Sequence, residues 1–241
     1  MKRRQFNQAL AATAALAAVP YVRAQSPKLK VGVILPKSGY LSFIGQSCQK
    51  GADLAPGVIK DMLGVDLELM NADFESNVDT ARTRAERLIQ EGANVLVGPF
   101  DSGAAAAIAQ VAEQRGVPFV INIAAAPQIT EQGYKFVFRN FQTAPQIIGR
   151  GLALYPQIFE ATGKTPKTAV LMHINDTFGQ ANKGAIDRIF PTMNLPFKIV
   201  ESIAYDPAAR DLSVEVAKAK ATNADILMTV TRLNDAIILV R

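Results

Sequence analysis

Apolar residues in this chain gather in short runs with little alternation, and longer stretches with apolar positions three or four apart separate them. The first run is 30–35 (KVGVIL), which stops at Pro36; 65–71, 94–98 and 118–122 read the same way. Between them the pattern predicts helices. One covers 46–63, where Pro56-Gly57 is expected to bend or break it. A second follows Ser76-Asn77-Val78-Asp79, which has the form of a capping box; Val78, Ala81, Ala85, Leu88 and Ile89 make its stripe and Gly92 closes it. A third covers 103–115 and ends at Gly116. The second half repeats the scheme, with helices at 145–162, 179–190 and 211–222, strands at 168–174, 197–204 and 225–230, and a last helix beginning near Asn234. Between the halves, 136–141 (FVFRNF) is extended and is the expected crossover between two lobes. Strands without alternation, spaced by helices, mean parallel sheets covered on both faces, an α/β fold.

The first 24 residues stand apart. A basic start (MKRRQF), a short apolar run at 9–19 and a small residue at Ala24 read as a cleaved export signal, too short and alanine-rich to span a bilayer, with an N-terminal membrane anchor as the alternative. Arg3-Arg4-Gln5-Phe6 resembles a twin-arginine signal, although Lys2 and Asn7 depart from it, which leaves the export route open. The signal changes the charge argument. It holds four of the 26 basic residues (Lys2, Arg3, Arg4, Arg23) and none of the 21 acidic ones, so the remainder has 22 against 21, a net of +1. The overall +5 therefore gives no compositional support to nucleic-acid binding. One cysteine, Cys48, excludes an internal disulfide, and one histidine, His173, excludes a two-histidine metal motif. The expected division is an export signal at 1–24, an N-terminal α/β lobe at 25–141 and a second lobe at 142–241. The helix begun near Asn234 stops at Arg241, so the second lobe is expected to be incomplete.

In open parallel sheets, ligands bind beyond the carboxyl ends of the strands. The residues just after each strand are therefore the candidates. Ser102 sits where a helix N-cap would sit, and free amides at Gly103 and Ala104 would favour an anion; an ordinary capping serine is the plainer reading. Tyr40 and Phe43 are loop aromatics that either wall a ligand or pack on their own lobe. Ala124, Ala125 and Ala126 would let a ligand approach the backbone, or form a simple turn. Phe178 walls a cleft or staples the next helix. Arg232, at the end of an apolar strand, can pair with a carboxylate through both edges of its guanidinium, or be a surface arginine. Enzyme motifs are missing: there is no Walker lysine, GPFDSG is not a GxGxxG fingerprint, and a nucleophile elbow at Ser102 would need glycine where Phe100 stands. His173 lies in the strand-like AVLMHIN, where a packed histidine is expected rather than a triad base. No catalytic residue, metal site or cofactor is expected.

Taken in order, these segments resemble the periplasmic substrate-binding proteins of ABC importers, in the branched-chain amino-acid (Leu/Ile/Val) type. VGVILPKSGYLSFIGQSCQKGADLA is similar to the family's opening of strand, P-x-[ST]-G, small loop, glycine and helix. LELMNADFESNVDTARTRAERLI, VLVGPFDSGAAAAIAQVAEQRGVPFV, INIAAAPQIT, FVFRNF and INDTFGQANKGAI keep the order and spacing of its next units. The resemblance implies two hinged α/β lobes of the type I periplasmic-binding fold that close on a small ligand and hand it to an inner-membrane permease. It implies a monomer in the periplasm, with no nucleic acid and no catalysis. By position, Ser102 with Gly103 would hold a ligand carboxylate, Ala124 and Ala125 would line the same lobe, Phe178 would replace the family's cleft tyrosine, and Arg232 would fill the second wall. Fewer hydroxyls and an added arginine suit an apolar carboxylate, aromatic or aliphatic, better than an α-amino acid. A ligand-sensing receptor module and a secreted serine hydrolase are the alternatives.

Overall fold

The computed structural model describes residues 28–240; the expected export signal lies outside them. Two parallel sheets are present. The first holds β1 (Leu29–Leu35), β2 (Leu67–Asp73), β3 (Val95–Val97), β4 (Phe119–Ile121) and β5 (Val137–Arg139) in the order β2-β1-β3-β4-β5. Val31 lies opposite both Leu69 and Val95, and Phe119 opposite Leu96 and Val137. The second holds β6 (Thr168–Ile174), β7 (Lys198–Tyr205) and β8 (Ile226–Val230) in the order β7-β6-β8. The chain passes from one sheet to the other through 140–143.

The burial of β1 explains why its sequence does not alternate. Val31, Val33 and Leu35 pack on one face with Cys48 and Ala52 of α1 (Ser42–Leu63). Ile34 packs on the other with Leu88 of α2 (Val78–Gln90) and Ile108 of α3 (Ser102–Arg115). Both faces are covered, so both parities must be apolar. Each such side chain contributes about 1.5–3 kcal/mol by leaving water. The alanines of α3 follow from its place: Ala104, Ala105, Ala107, Ala109 and Ala112 are all buried, and small side chains let the helix sit deep in its lobe. The second sheet repeats the plan. Leu171, Met228 and Val230 pack with Ile186 of α6 (Thr177–Ile189) on one face, and Val170, Met172 and Ile203 with Ala219 of α7 (Ser213–Ala221) on the other. Phe197 carries an aromatic cluster there, with ring centroids 5.1–5.9 Å from Tyr155, Phe159 and Phe190.

Several sequence expectations change. The helix across Pro56 is unbroken through all 22 residues of α1. The expected single helix at 145–162 is two, α4 (Ala144–Ala153) and α5 (Tyr155–Thr162). The cause is Pro156, whose ring nitrogen cannot donate to the Leu152 carbonyl and whose bulk crowds that turn. The segment expected only as a crossover contains β5, the edge strand of the first sheet, with Phe138 opposite Val120. Asn77, not Ser76, caps α2, accepting from the Thr80 amide at 2.9 Å. The Ser76 hydroxyl instead ties two loops, accepting from the Leu41 amide and donating to the Ser38 carbonyl.

Two glycines fix where the helices after β1 and β6 start. A Cβ on Gly45 would stand 1.9 Å from the Pro36 carbonyl oxygen, and one on Gly179 would stand 1.7 Å from that of Ile174. In both lobes the first turn of the helix therefore lies directly on the carboxyl end of the preceding strand, which fixes the loop between them.

Candidate functional site

The carboxyl ends of the two sheets meet. The first lobe brings Tyr40 from the loop after β1 and Asp101 from the loop after β3. The second brings Asp176 after β6, the loop 206–212 after β7, and Arg232 after β8, just before α8 (Leu233–Leu239). At the centre lies Arg232, whose side chain is only 8% exposed. Its Nη2 donates to Asp101 Oδ2 across the lobes at 3.0 Å, and its Nη1 donates to Asp176 Oδ2 in its own lobe at 2.5 Å. Phe178 stacks against the guanidinium, 5.0 Å from its centre, a cation–π contact inside a dry wall.

Both carboxylates do a second job. Asp101 is the N-cap of α3, its Oδ1 accepting from the Ala104 amide at 2.8 Å; Asp176 is the N-cap of α6, its Oδ1 accepting from Gly179 at 2.8 Å. One oxygen of each aspartate holds its own helix and the other holds Arg232. The guanidinium thereby joins the starts of two helices from opposite lobes. Burial opposes the Arg232 charge, but Asp176 and Asp101 outweigh it and hold its pKa above the ordinary arginine value. Burial pushes the Asp101 carboxyl up, against the pull of the Ala104 amide and of Arg232. Gly103 shows how closely the lobes meet: a Cβ there would be 3.5 Å from Thr177 Oγ1.

Beside Arg232 opens a cleft of about 350 Å³. Tyr40, Leu41 and Ile44 form its first-lobe wall; Tyr205, Leu212, Arg232, Asp235 and Ile238 are on the second-lobe side, with Arg210 at the rim loop. Apolar and aromatic side chains share the walls with charged ones, Asp206, Arg210, Arg232 and Asp235. Tyr205 donates its hydroxyl to Asp235 Oδ2 at 2.8 Å, and the Arg232 amide donates to the same oxygen at 2.9 Å. Burial and this bond to a carboxylate drive the Tyr205 pKa far up, which keeps the phenol protonated. Asn234 Nδ2 reaches across to the Tyr40 carbonyl at 3.0 Å, a second bond between lobes.

Of the residues singled out from sequence, Tyr40 and Arg232 line this cleft. Ser102 is not the cap of α3 but its first residue; it is fully buried, and its hydroxyl accepts from the Ala126 amide at 3.4 Å. The amides expected to be free for an anion at Gly103 and Ala104 are taken by the Asp101 carboxylate. Ala124 and Ala125 are buried in a pinned loop: Arg139 donates to the Ala124 and Ala126 carbonyls, and the Ala144 amide to that of Ala125. Phe178 lies behind the guanidinium. Phe43, on the first turn of α1, is 61% exposed and outside the cleft lining. His173 is buried in β6, its Nδ1 beside the Ile174 carbonyl. Sequence reasoning passed over Asp101, Asp176, Tyr205 and Asp235. The available signal was local: each of the first two immediately precedes the first helical residue after a strand. Asp and Ser are equally good caps, so Asp101-Ser102 could not be resolved by preference alone.

A model of the periplasmic binding protein family matches residues 28–241. The chain is 26% identical over 216 residues to Leu/Ile/Val-binding protein homolog 8 of Brucella abortus (strain 2308), covering 87% of this chain and 53% of that relative. The fold is similar to the leucine binding protein LivK from Thermotoga maritima, with a TM-score of 0.75 and 25% identity over 88% of this chain and 58% of that one. It is similar also to a solute binding protein of an ABC transporter from R. palustris in complex with benzoate, with a TM-score of 0.77 and 25% identity over 89% and 58%. The chain thus spans about half the length of the curated relatives it matches.

Proposed function

This chain belongs to the periplasmic binding protein family, and from that premise we propose that it is the extracytoplasmic solute-binding part of an ABC importer. It captures a small carboxylate between lobes at 25–141 and 142–241 and delivers it, as a monomer, to an inner-membrane permease. The observation that carries the reading is Arg232, a guanidinium withdrawn from water at the side of an aromatic-walled cleft between two lobes. Two of its five N–H donors bind aspartates, and a carboxylate entering the cleft would share or take over those bonds. Tyr40 and Tyr205 would bury the apolar part of the solute. Leucine and benzoate, named for two similar structures, both combine a carboxylate with an apolar body.

Closure works by population shift: a solute touching both lobes stabilises the closed form by its greater affinity for that form. Ser102, Gly103, Ala124, Ala125 and Phe178 lie outside the lining of the cleft, and in this reading the solute reaches them only when the site rearranges. Phe43 would meet the solute only from the rim. Titration calorimetry with leucine, benzoate, an aliphatic acid and benzamide tests the reading. The carboxylates should bind and the neutral amide should not, and Arg232→Met should weaken the best carboxylate by about 2 kcal/mol, the range for a hydrogen bond to a charged group. Equal binding of benzoate and benzamide, or an unchanged constant in the variant, would remove Arg232 and the carboxylate from the account.

A further inference from the structure

The Asp101–Arg232 bridge spans the two lobes and is made entirely of the chain's own side chains. Resting on the carboxylate reading above, we propose that Asp101 is a built-in competitor for the solute: its bond to Arg232 holds the solute-free chain closed, and an incoming carboxylate must take its place. The two aspartates around Arg232 are not equivalent. Asp176 belongs to the same lobe as the arginine and keeps its bond whatever the lobes do. Asp101 belongs to the other lobe, at the N-cap of α3, and its bond exists only while the lobes are together. The guanidinium is already flanked by two negative groups, and Asp235 sits close by on the Arg232 amide. A third carboxylate reaching the guanidinium would crowd negative charge into a water-poor space, unless one aspartate lets go. The one that can let go by a lobe movement is Asp101.

This makes Asp101 a specificity-determining residue as well as a tie. Its Oδ1 takes the Ala104 amide at the start of α3, so the acidic end of the solute is directed to Arg232 and away from that helix. Only solutes that outbid an internal carboxylate for the guanidinium bind well, which disfavours neutral analogues.

Asp101→Asn tests the inference without removing the cap, because asparagine caps helices as well as aspartate; Asp101→Ser, another good cap, guards against a peculiarity of the amide. Small-angle scattering of the solute-free protein should show a larger radius of gyration for both variants than for wild type, while Asp176→Asn stays as compact as wild type. Calorimetry with benzoate as the probe should show at least fivefold tighter binding in Asp101→Asn, since the competing charge is gone. Variants as compact as wild type, or benzoate binding that is unchanged or weaker, would overturn the proposal. The scattering needs no solute, so the two readings fail separately. If Asp101→Asn opens while benzoate and leucine bind neither protein, the tie stands and the carboxylate reading, with the competition built on it, falls.

Discussion

Asp73, at the end of β2, gathers four donors on one carboxylate. Oδ1 accepts from the amides of Lys37, Ser38 and Glu75 at 2.7, 3.3 and 2.8 Å, and Oδ2 from the Ser38 hydroxyl at 2.8 Å. It fixes the loop that carries Tyr40 to the cleft. Burial raises its pKa, but the Glu75 amide, the Ser38 hydroxyl and the remaining amides outweigh that and hold it below the usual carboxylate range. A depressed folded pKa means stability that is fully present above the unfolded value of about 4 and lost as pH falls through the folded one. Asp73→Asn should therefore cost about 1–2 kcal/mol at pH 7, and the gap to wild type in urea unfolding should close as pH falls towards 3. A gap that stays constant would mean the loop is held by shape rather than charge. Residue-scale chemistry of this kind was the least legible in sequence. Tyr40 and Arg232 stood out because an aromatic and an arginine follow strand ends. Asp101 did not, because its role depends on an arginine 131 positions away.

At the scale of elements, the strands were legible because a sheet covered on both faces leaves an unbroken apolar run, as 168–174 shows: the expected and observed strands coincide. Helix breaks were harder. Pro56 and Pro156 are the same residue, yet α1 continues through the first and the helix ends before the second. α1 is packed along the first sheet through Cys48 and Ala52 upstream of Pro56, so tertiary contacts hold its axis. The 136–141 segment was read as a connection because its three paired residues are too few to show a pattern. Pro56 leaves one unused stabilisation in α1. Pro56→Ala restores a donor to the Ala52 carbonyl and removes the ring's crowding, and should raise stability by about 2 kcal/mol, less the entropy that proline removes from the unfolded chain. A higher urea midpoint at unchanged slope is the expected outcome; a lower midpoint would show that the helix needs the proline's local geometry.

The whole molecule is two parallel sheets set with their carboxyl ends facing, so that the loops after β1 and β3 meet those after β6, β7 and β8. Each sheet alone offers only half a site, a shape that suits capture by closure. The resemblance to the periplasmic binding proteins of ABC importers was readable because the motifs came in order over nearly the whole chain, and the family match over residues 28–241 bears it out. Whether a carboxylate is taken into the cleft beside Arg232 can be seen in a crystal structure with 4-bromobenzoate, locating the bromine by anomalous scattering. One strong peak is expected between Tyr40 and Tyr205, with the carboxylate on the Arg232 guanidinium. A bromine seated elsewhere, with Arg232 still bound to Asp101 and the cleft empty, would contradict the carboxylate reading.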